Sequence, residues 1–258
     1  MNQPQAASPA PDRDSAADAV TRHPQASGPL VCDPLLIFDT VKIRERIAEL
    51  ATDRDNASLR GEVVTLLRDA NKAGRKVIAE GFAQSPFDSR PATRSYTFLT
   101  DGLVTSALYA ASELMHPLAA PTRGERIAVL AVGGYGRGEM APSSDVDLLF
   151  LTPYKITAWA ESVIESMLYI LWDLKLKVGH ASRTIQDCLR LGREDFTIRT
   201  AMLEHRFLAG DELLGDEMDE RLKADLFQGT AHEFIEAKLS EREARHIKQG
   251  QRYMVEPN

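Results

Sequence analysis

Two aspartates separated by one residue, Asp145 and Asp147, are the side chains of this sequence best suited to chemistry. They begin an apolar run that ends at Leu151, and its first residues alternate carboxylate and apolar side chains, as in a half-buried β-strand. Because strand side chains alternate between faces, both carboxylates point the same way, about 7 Å apart along the strand. Carboxylate oxygens suit Mg²⁺, which also binds substrate phosphates. The pair can therefore converge on shared divalent metal ions.

A glycine-rich segment precedes the aspartates and follows a buried-strand pattern over residues 127–132. It contains Gly133, Gly134, Gly136 and Gly138. Glycine has no Cβ, so backbone N–H groups in such a turn can approach a triphosphate closely. The spacing is neither that of a dinucleotide-binding loop nor that of a P-loop. An isolated Asp-x-Asp can be a solvated strand end, but its combination with this turn favours a metal-dependent nucleotide site.

These motifs carry a family resemblance. Val132-Gly133-Gly134, ten further residues and then Asp145-Val146-Asp147-Leu148 resemble the signature of the polymerase-β-like nucleotidyltransferase superfamily. The longer string GGYGRGEMAPSSDVDLLFL is similar to the N-terminal module of the bacterial protein-PII uridylyltransferase/uridylyl-removing enzymes. Further matching strings are DLKLKVGHASRT (173–184), RTAMLEHRFLAGD (199–211) and RYMVEPN (252–258). The resemblance extends over residues 30–258.

The resemblance implies an α+β fold of the polymerase-β-like nucleotidyltransferase type. This fold is a small mixed sheet flanked by helices, here with an N-terminal helical region and a C-terminal helix. The implied activity is the Mg²⁺-dependent transfer of UMP from UTP to a tyrosine of a PII-type nitrogen-signalling protein, with release of pyrophosphate. The expected partners are therefore UTP and the PII-type protein.

The same resemblance assigns roles to individual residues. Asp145 and Asp147 become the Mg²⁺ ligands and the catalytic pair, and Gly133 and Gly134 become the turn that holds the triphosphate. Arg137 and Ser144 lie in the matching string and are expected beside the triphosphate.

A third carboxylate commonly comes from a later strand in this superfamily, and Glu204, within Glu204-His205-Arg206, is the position that matches. Its role is either that of a metal ligand or that of a general base that accepts the proton of the attacking hydroxyl. The alternative is that Glu204 only pairs with a nearby arginine such as Arg206.

The chain also departs from the family pattern. Full-length members carry a His-Asp hydrolase domain that removes UMP and modules that sense glutamine, and no His-Asp dipeptide occurs in these 258 residues. We therefore expect the transferase module only. The alternatives are a catalytically incomplete, UTP-binding regulatory fragment and a related nucleotidyltransferase that uses ATP.

The elements that must position these residues follow from hydrophobic periodicity. Residues 1–28 contain almost no large apolar residue, and this composition predicts a disordered tail. Residues 29–120 are predicted as a helical region and 212–258 as a C-terminal helical extension, and the resemblance makes 121–211 the nucleotidyltransferase core. Helices are predicted up to about residue 82 with Ser58 as the N-cap, over 93–114, over 156–173 and in two short segments, 185–192 and 194–201. Later strands are predicted over 176–184 and 201–207.

Composition limits the function classes. The net charge of −7 argues against a general nucleic-acid binder, which would present a basic face. The two cysteines, Cys32 and Cys188, show no paired spacing, which is typical of a reducing cytosol. No run of 18 or more apolar residues occurs, so we expect no membrane association and a cytoplasmic location.

Overall fold

The structure is a computed structural model and describes residues 28–52 and 54–248. The predicted tail, apart from residue 28, and the closing string RYMVEPN lie outside these residues. The predicted domain boundaries at 120/121 and 211/212 stay predictions.

Helices dominate the N-terminal half. They are α1 (Pro34–Ile37), α2 (Thr40–Leu50), α3 (Asn56–Gln84) and α4 (Ser89–Tyr109), and α4 continues as a π-helical segment, Ala110–Met115. The predicted N-cap at Ser58 is wrong, because the Asp55 carboxylate accepts a hydrogen bond from the Ser58 N–H at 2.8 Å and starts α3 three residues earlier. An aspartate before the first turn satisfies an N–H group that has no partner within the helix.

Within the described residues, four strands form one mixed sheet in the order β3-β2-β1-β4. They are β1 (Ala128–Ala131), β2 (Val146–Thr152), β3 (Val178–Thr184) and β4 (Arg206–Gly210). The central strand β1 is antiparallel to β2 and to β4, whereas β2 and β3 are parallel and are connected through α5 (Ala158–Asp173). Parallel neighbours need such a crossover, because a tight turn can only reverse the chain.

The remaining helices are α6 (Ile185–Glu194), α7 (Phe196–Leu203), α8 (Glu212–Leu222) and α9 (Ala231–Lys248), with a π-helical turn, Lys223–Phe227, after α8. The prediction of a strand over 201–207 is wrong at its start. The Asp195 carboxylate accepts hydrogen bonds from the Thr197 and Ile198 N–H groups and begins α7, which continues to Leu203. Strand β4 therefore starts only at Arg206.

The sheet separates two apolar clusters, since its side chains alternate between faces. Val146, Leu148 and Phe150 pack toward α2–α5, whereas Leu149 and Leu151 pack toward α6–α8. This arrangement confirms the predicted α+β class, a small mixed sheet flanked by helices.

Across the described ranges, none of the helices is both long and apolar enough to span a bilayer.

Candidate active site

The glycine-rich segment forms a short helical turn, Gly133–Gly136, directly after β1. Gly133 has a φ of +57°, a left-handed conformation that glycine adopts without steric cost. A Cβ built on Gly133 would lie 3.7 Å from a carboxylate oxygen of Asp147. The backbone link between the two strands is tight, because the Val132 N–H donates to the Asp147 carbonyl at 3.0 Å. The turn and Asp147 are therefore immediate neighbours, as the sequence pattern predicts.

The aspartate pair stands at the entrance to β2. Asp145 precedes the strand and is exposed, whereas Asp147 lies within it and is half-buried. Burial raises the pKa of the Asp147 carboxyl, and the negative charge of Asp145 raises it further. The two carboxylates are thus close enough for the charge of one to disfavour ionisation of the other.

Gly179 on β3 completes the surroundings of Asp147. The register of the parallel strands pairs Asp147 with Gly179, and a Cβ added to Gly179 would overlap a carboxylate oxygen of Asp147. Any larger residue at position 179 would therefore displace the Asp147 carboxylate. This glycine was not among the predicted site residues, because only the strand register makes it the partner of Asp147.

These surroundings fit a divalent cation. Glycines flank Asp147 on both sides, and within residues 28–52 and 54–248 neither aspartate forms an ion pair with a basic side chain. Two unneutralised carboxylates supply part of the oxygen shell of a Mg²⁺ ion, whose other positions usually go to water and phosphate. Asp145 and Asp147 are thus the residues that would hold Mg²⁺.

Glu204 contacts the glycine turn and its arginine. Its carboxylate accepts a hydrogen bond from the Arg137 guanidinium at 2.6 Å, and a Cβ added to Gly136 would overlap its backbone carbonyl oxygen. In the described part of the chain, no three acidic, histidine or cysteine side chains are grouped to hold a metal ion. The structure therefore brings Glu204 to Arg137 and the turn, and does not gather it with Asp145 and Asp147.

A buried hydrogen-bond network of Asp101, Tyr135 and Arg206 holds the glycine turn in place. Asp101 on α4 is only 3% exposed, and its carboxylate accepts hydrogen bonds from the Tyr135 hydroxyl at 2.6 Å and from the Arg206 guanidinium at 2.8 and 3.0 Å. Burial raises the pKa of Asp101, while the charge and the hydrogen bonds of Arg206 act against that shift. Arg206 therefore pairs with Asp101, not with Glu204, and this network connects the turn, α4 and the start of β4.

This network was missed by the sequence analysis. One signal was present: Asp101 is the sole charged residue of an otherwise uncharged stretch, residues 95–112. A charged residue in a helix without an exposed face requires a buried partner, since an unpaired buried charge is costly.

Ser144 shapes the loop that leads to the aspartates. Its hydroxyl accepts a hydrogen bond from the Ala141 N–H at 3.0 Å, and its own N–H donates to the Ala141 carbonyl at 3.1 Å. Arg75 from α3 donates to the neighbouring Pro142 carbonyl at 2.9 Å. Ser144 is thus placed next to Asp145, and its contact with a triphosphate stays a prediction.

Comparisons with known proteins agree with this architecture. The family model of the nucleotidyltransferase domain matches residues 119–206, a range that contains the glycine turn, both aspartates and Glu204. The chain is 71% identical over 223 residues to a bifunctional uridylyltransferase/uridylyl-removing enzyme of Ruegeria pomeroyi, covering 86% of this chain and 25% of that protein.

Two further relatives carry the same name. The Cereibacter sphaeroides protein is 62% identical over 218 residues, covering 83% of this chain and 23% of that protein. The Phenylobacterium zucineum protein is 50% identical over 227 residues, covering 86% of this chain and 24% of that protein. The chain thus spans about a quarter of the length of these relatives. These matches show that the chain carries a nucleotidyltransferase domain and that it is similar to part of the proteins named bifunctional uridylyltransferase/uridylyl-removing enzyme.

Proposed function

We propose that this chain transfers UMP from UTP to a tyrosine of a PII-type signalling protein and releases pyrophosphate. The observation that carries the proposal is the position of Gly133 directly beside the Asp147 carboxylate, within a chain that is 71% identical over 223 residues to a protein named bifunctional uridylyltransferase/uridylyl-removing enzyme. A triphosphate is bound by backbone N–H groups and by a cation at the same place. Gly133 offers a backbone N–H group, and the neighbouring Asp147 offers a carboxylate ligand for the cation.

Each residue has a proposed part in the reaction. Asp145 and Asp147 hold Mg²⁺, which when bound offsets the charge that develops on the attacking and leaving oxygens. Gly133 and Gly134 offer backbone N–H groups to the triphosphate. The tyrosine hydroxyl attacks the α-phosphorus in line and gives its proton to a base, either Glu204 or a water molecule. A new P–O bond forms, the bond from the α-phosphorus to the bridging oxygen breaks, and pyrophosphate leaves.

Arg137 and Glu204 act at the rim of the turn. The Arg137 side chain is 58% exposed and has guanidinium N–H groups beyond the one that Glu204 occupies, so it can donate to a phosphate oxygen. Glu204 holds the guanidinium beside the turn. Its predicted roles as metal ligand or general base remain open proposals, and the variants described below separate them.

A second candidate function is UTP binding without transfer. The observation that favours it is that no third acidic side chain joins Asp145 and Asp147 among the residues described. A donor other than UTP, namely ATP, remains the alternative for the transferase itself.

One assay separates these functions. The 258-residue chain is incubated with Mg²⁺, a purified PII-type protein and α-labelled UTP or ATP, and label on the protein is followed. Transfer from UTP alone supports the proposal, and transfer from ATP alone overturns the assignment of the donor. UTP binding without transfer identifies the binding function, and the absence of binding contradicts the site itself.

A further inference from the structure

Strand β3 offers a free edge. On one side it pairs with β2, and among the residues described no strand pairs with its other side. The Val146 N–H donates to the Lys177 carbonyl at 2.8 Å. This bond shows that the odd-numbered residues of β3 direct their backbone groups toward β2. In a parallel pair, alternate residues direct their N–H and C=O groups to the neighbour. The backbone groups of His180 and Ser182 consequently point to the free edge.

A groove of about 500 Å³ runs beside this edge, between β3 and α5. Most of the side chains that line it are apolar, among them Leu168, Tyr169 and Trp172, and the last two are 41% and 42% exposed. Two exposed carboxylates, Glu161 and Glu165, line the same groove. Exposed aromatic rings beside acidic groups suit an apolar side chain with a basic neighbour.

The groove and the candidate active site lie on opposite faces of β3. Gly179 shares its face with Asp147, whereas His180 contacts the rings of Phe150 and Trp172 on the groove side. Side chains of an added strand would alternate between these two faces. One residue would therefore enter the groove while the next would project over the face of Asp147.

We propose that an extended segment of the acceptor protein adds to the edge of β3 as a fifth strand. One of its apolar side chains fills the groove, a basic side chain faces Glu161 and Glu165, and the acceptor tyrosine lies on the face of Asp147. The added strand would run two strand spacings, about 10 Å, from β2. Backbone hydrogen bonds to a sheet edge give affinity in this mode of recognition, and the side-chain pockets give specificity. The inference rests on the proposed function, since it identifies how the acceptor binds.

The first test removes the outward N–H of the edge. Ser182→Pro deletes it, and proline is tolerated in an edge strand where the N–H faces away from the sheet. Ser182→Ala is the matched control, because it loses the hydroxyl and keeps the N–H. The affinity of the full 258-residue chain for a purified PII-type protein is measured by calorimetry, and Mg²⁺-UTP affinity reports on folding.

The expected result is that Ser182→Pro weakens binding of the PII-type protein at least tenfold, while Ser182→Ala and Mg²⁺-UTP affinity are unchanged. Glu165→Lys tests the groove without altering the backbone and should weaken binding in the same way, with Glu243→Lys on α9 as its control. This second pair decides the matter if Ser182→Pro does not fold.

Equal affinity of Glu165→Lys and wild type overturns the inference, and so does a wild-type chain that does not bind the PII-type protein. The proposed function is judged separately, by transfer of label in the wild-type chain. If Ser182→Pro and Glu165→Lys both transfer label with an unchanged KM for the acceptor protein, that result supports the proposed function and rejects the proposed docking at β3.

Discussion

The backbone carbonyl of Glu204 occupies the space in which Gly136 would carry a Cβ atom. The glycine turn and the segment between α7 and β4 are therefore in direct backbone contact, although 68 positions separate the two residues along the chain. The glycines of the turn consequently have different tasks: Gly133 lies next to Asp147, whereas Gly136 allows the turn to pack against Glu204.

Gly136→Ala should destabilise the protein. The added methyl group overlaps a backbone atom that cannot rotate away, and overpacking of this kind costs about 1–3 kcal/mol in the free energy of unfolding. Urea denaturation measures the change. Gly134→Ala is the control, because its Cβ would lie 3.6 Å from an Arg137 nitrogen, an ordinary contact. A Gly136→Ala protein as stable as wild type would refute the contact.

A β-branched residue at position 134 is expected to weaken UTP binding while the fold is kept.

Asp145→Asn and Asp147→Asn should abolish transfer with little loss of folding. Each replaces a charged ligand by a neutral amide of the same shape, and the loss of rate should exceed the 10–100-fold typical of residues that only support a metal ligand. Label transfer from UTP measures activity, and circular dichroism confirms the fold. Asp216→Asn, an exposed aspartate on α8, is the control. Retention of most activity by either site variant would disprove the assignment of the pair.

Arg137→Gln should weaken UTP binding about tenfold, the loss of a charge-assisted hydrogen bond to phosphate of about 1.5 kcal/mol. Stability should change by less than about 1 kcal/mol, because the ion pair with Glu204 is largely exposed.

Glu204→Gln separates the roles of the glutamate. If Glu204 positions Arg137, this variant raises KM for UTP as Arg137→Gln does and leaves kcat nearly unchanged. A large loss of kcat with normal KM would instead identify a base or a metal ligand.

Asp101→Asn should lower the free energy of unfolding by about 3 kcal/mol, the lower end for breaking a buried ion pair, because Arg206 keeps partial access to water. UTP affinity should fall as well, since Tyr135 loses its anchor. The double variant Asp101→Leu/Arg206→Met removes both charges and should recover stability. If the double variant recovers none of the lost free energy of unfolding, the Asp101–Arg206 pair stabilises the protein through its shape more than through its charge.

The Arg126–Asp211 pair predicts a pH dependence. Burial opposes ionisation of Asp211, but hydrogen bonds from Arg126 and from the Leu214 N–H, with the Arg126 charge, hold its pKa below the usual value. A lowered folded-state pKa contributes stability above the unfolded pKa of about 3.9, and this contribution is lost as pH falls through the folded value. Asp211→Asn should therefore cost about 1–2 kcal/mol at pH 7 and progressively less below pH 4. Urea denaturation across this range checks it, and a cost that is constant with pH would contradict it.

The sequence alone determined the parts of this protein that depend on neighbouring residues. The strand before the turn, the turn itself and the Asp-x-Asp strand are encoded within about 25 residues, because side-chain alternation and glycine placement act locally. The family resemblance followed from the matching strings, and the expected α+β class followed from that resemblance. The start of α3 was predicted three residues too late, because the side chain that caps a helix, here Asp55, decides where it begins.

Only the tertiary structure decided which distant residues meet. Strand register brought Gly179 to Asp147, and the packing of α7 brought Glu204 to Gly136 and Arg137. The pairing of Asp101 with Arg206 depends on how α4 crosses the sheet. Such contacts join residues that lie far apart in the chain, and their geometry is set by the packing of whole helices and strands, which no local pattern of side chains encodes.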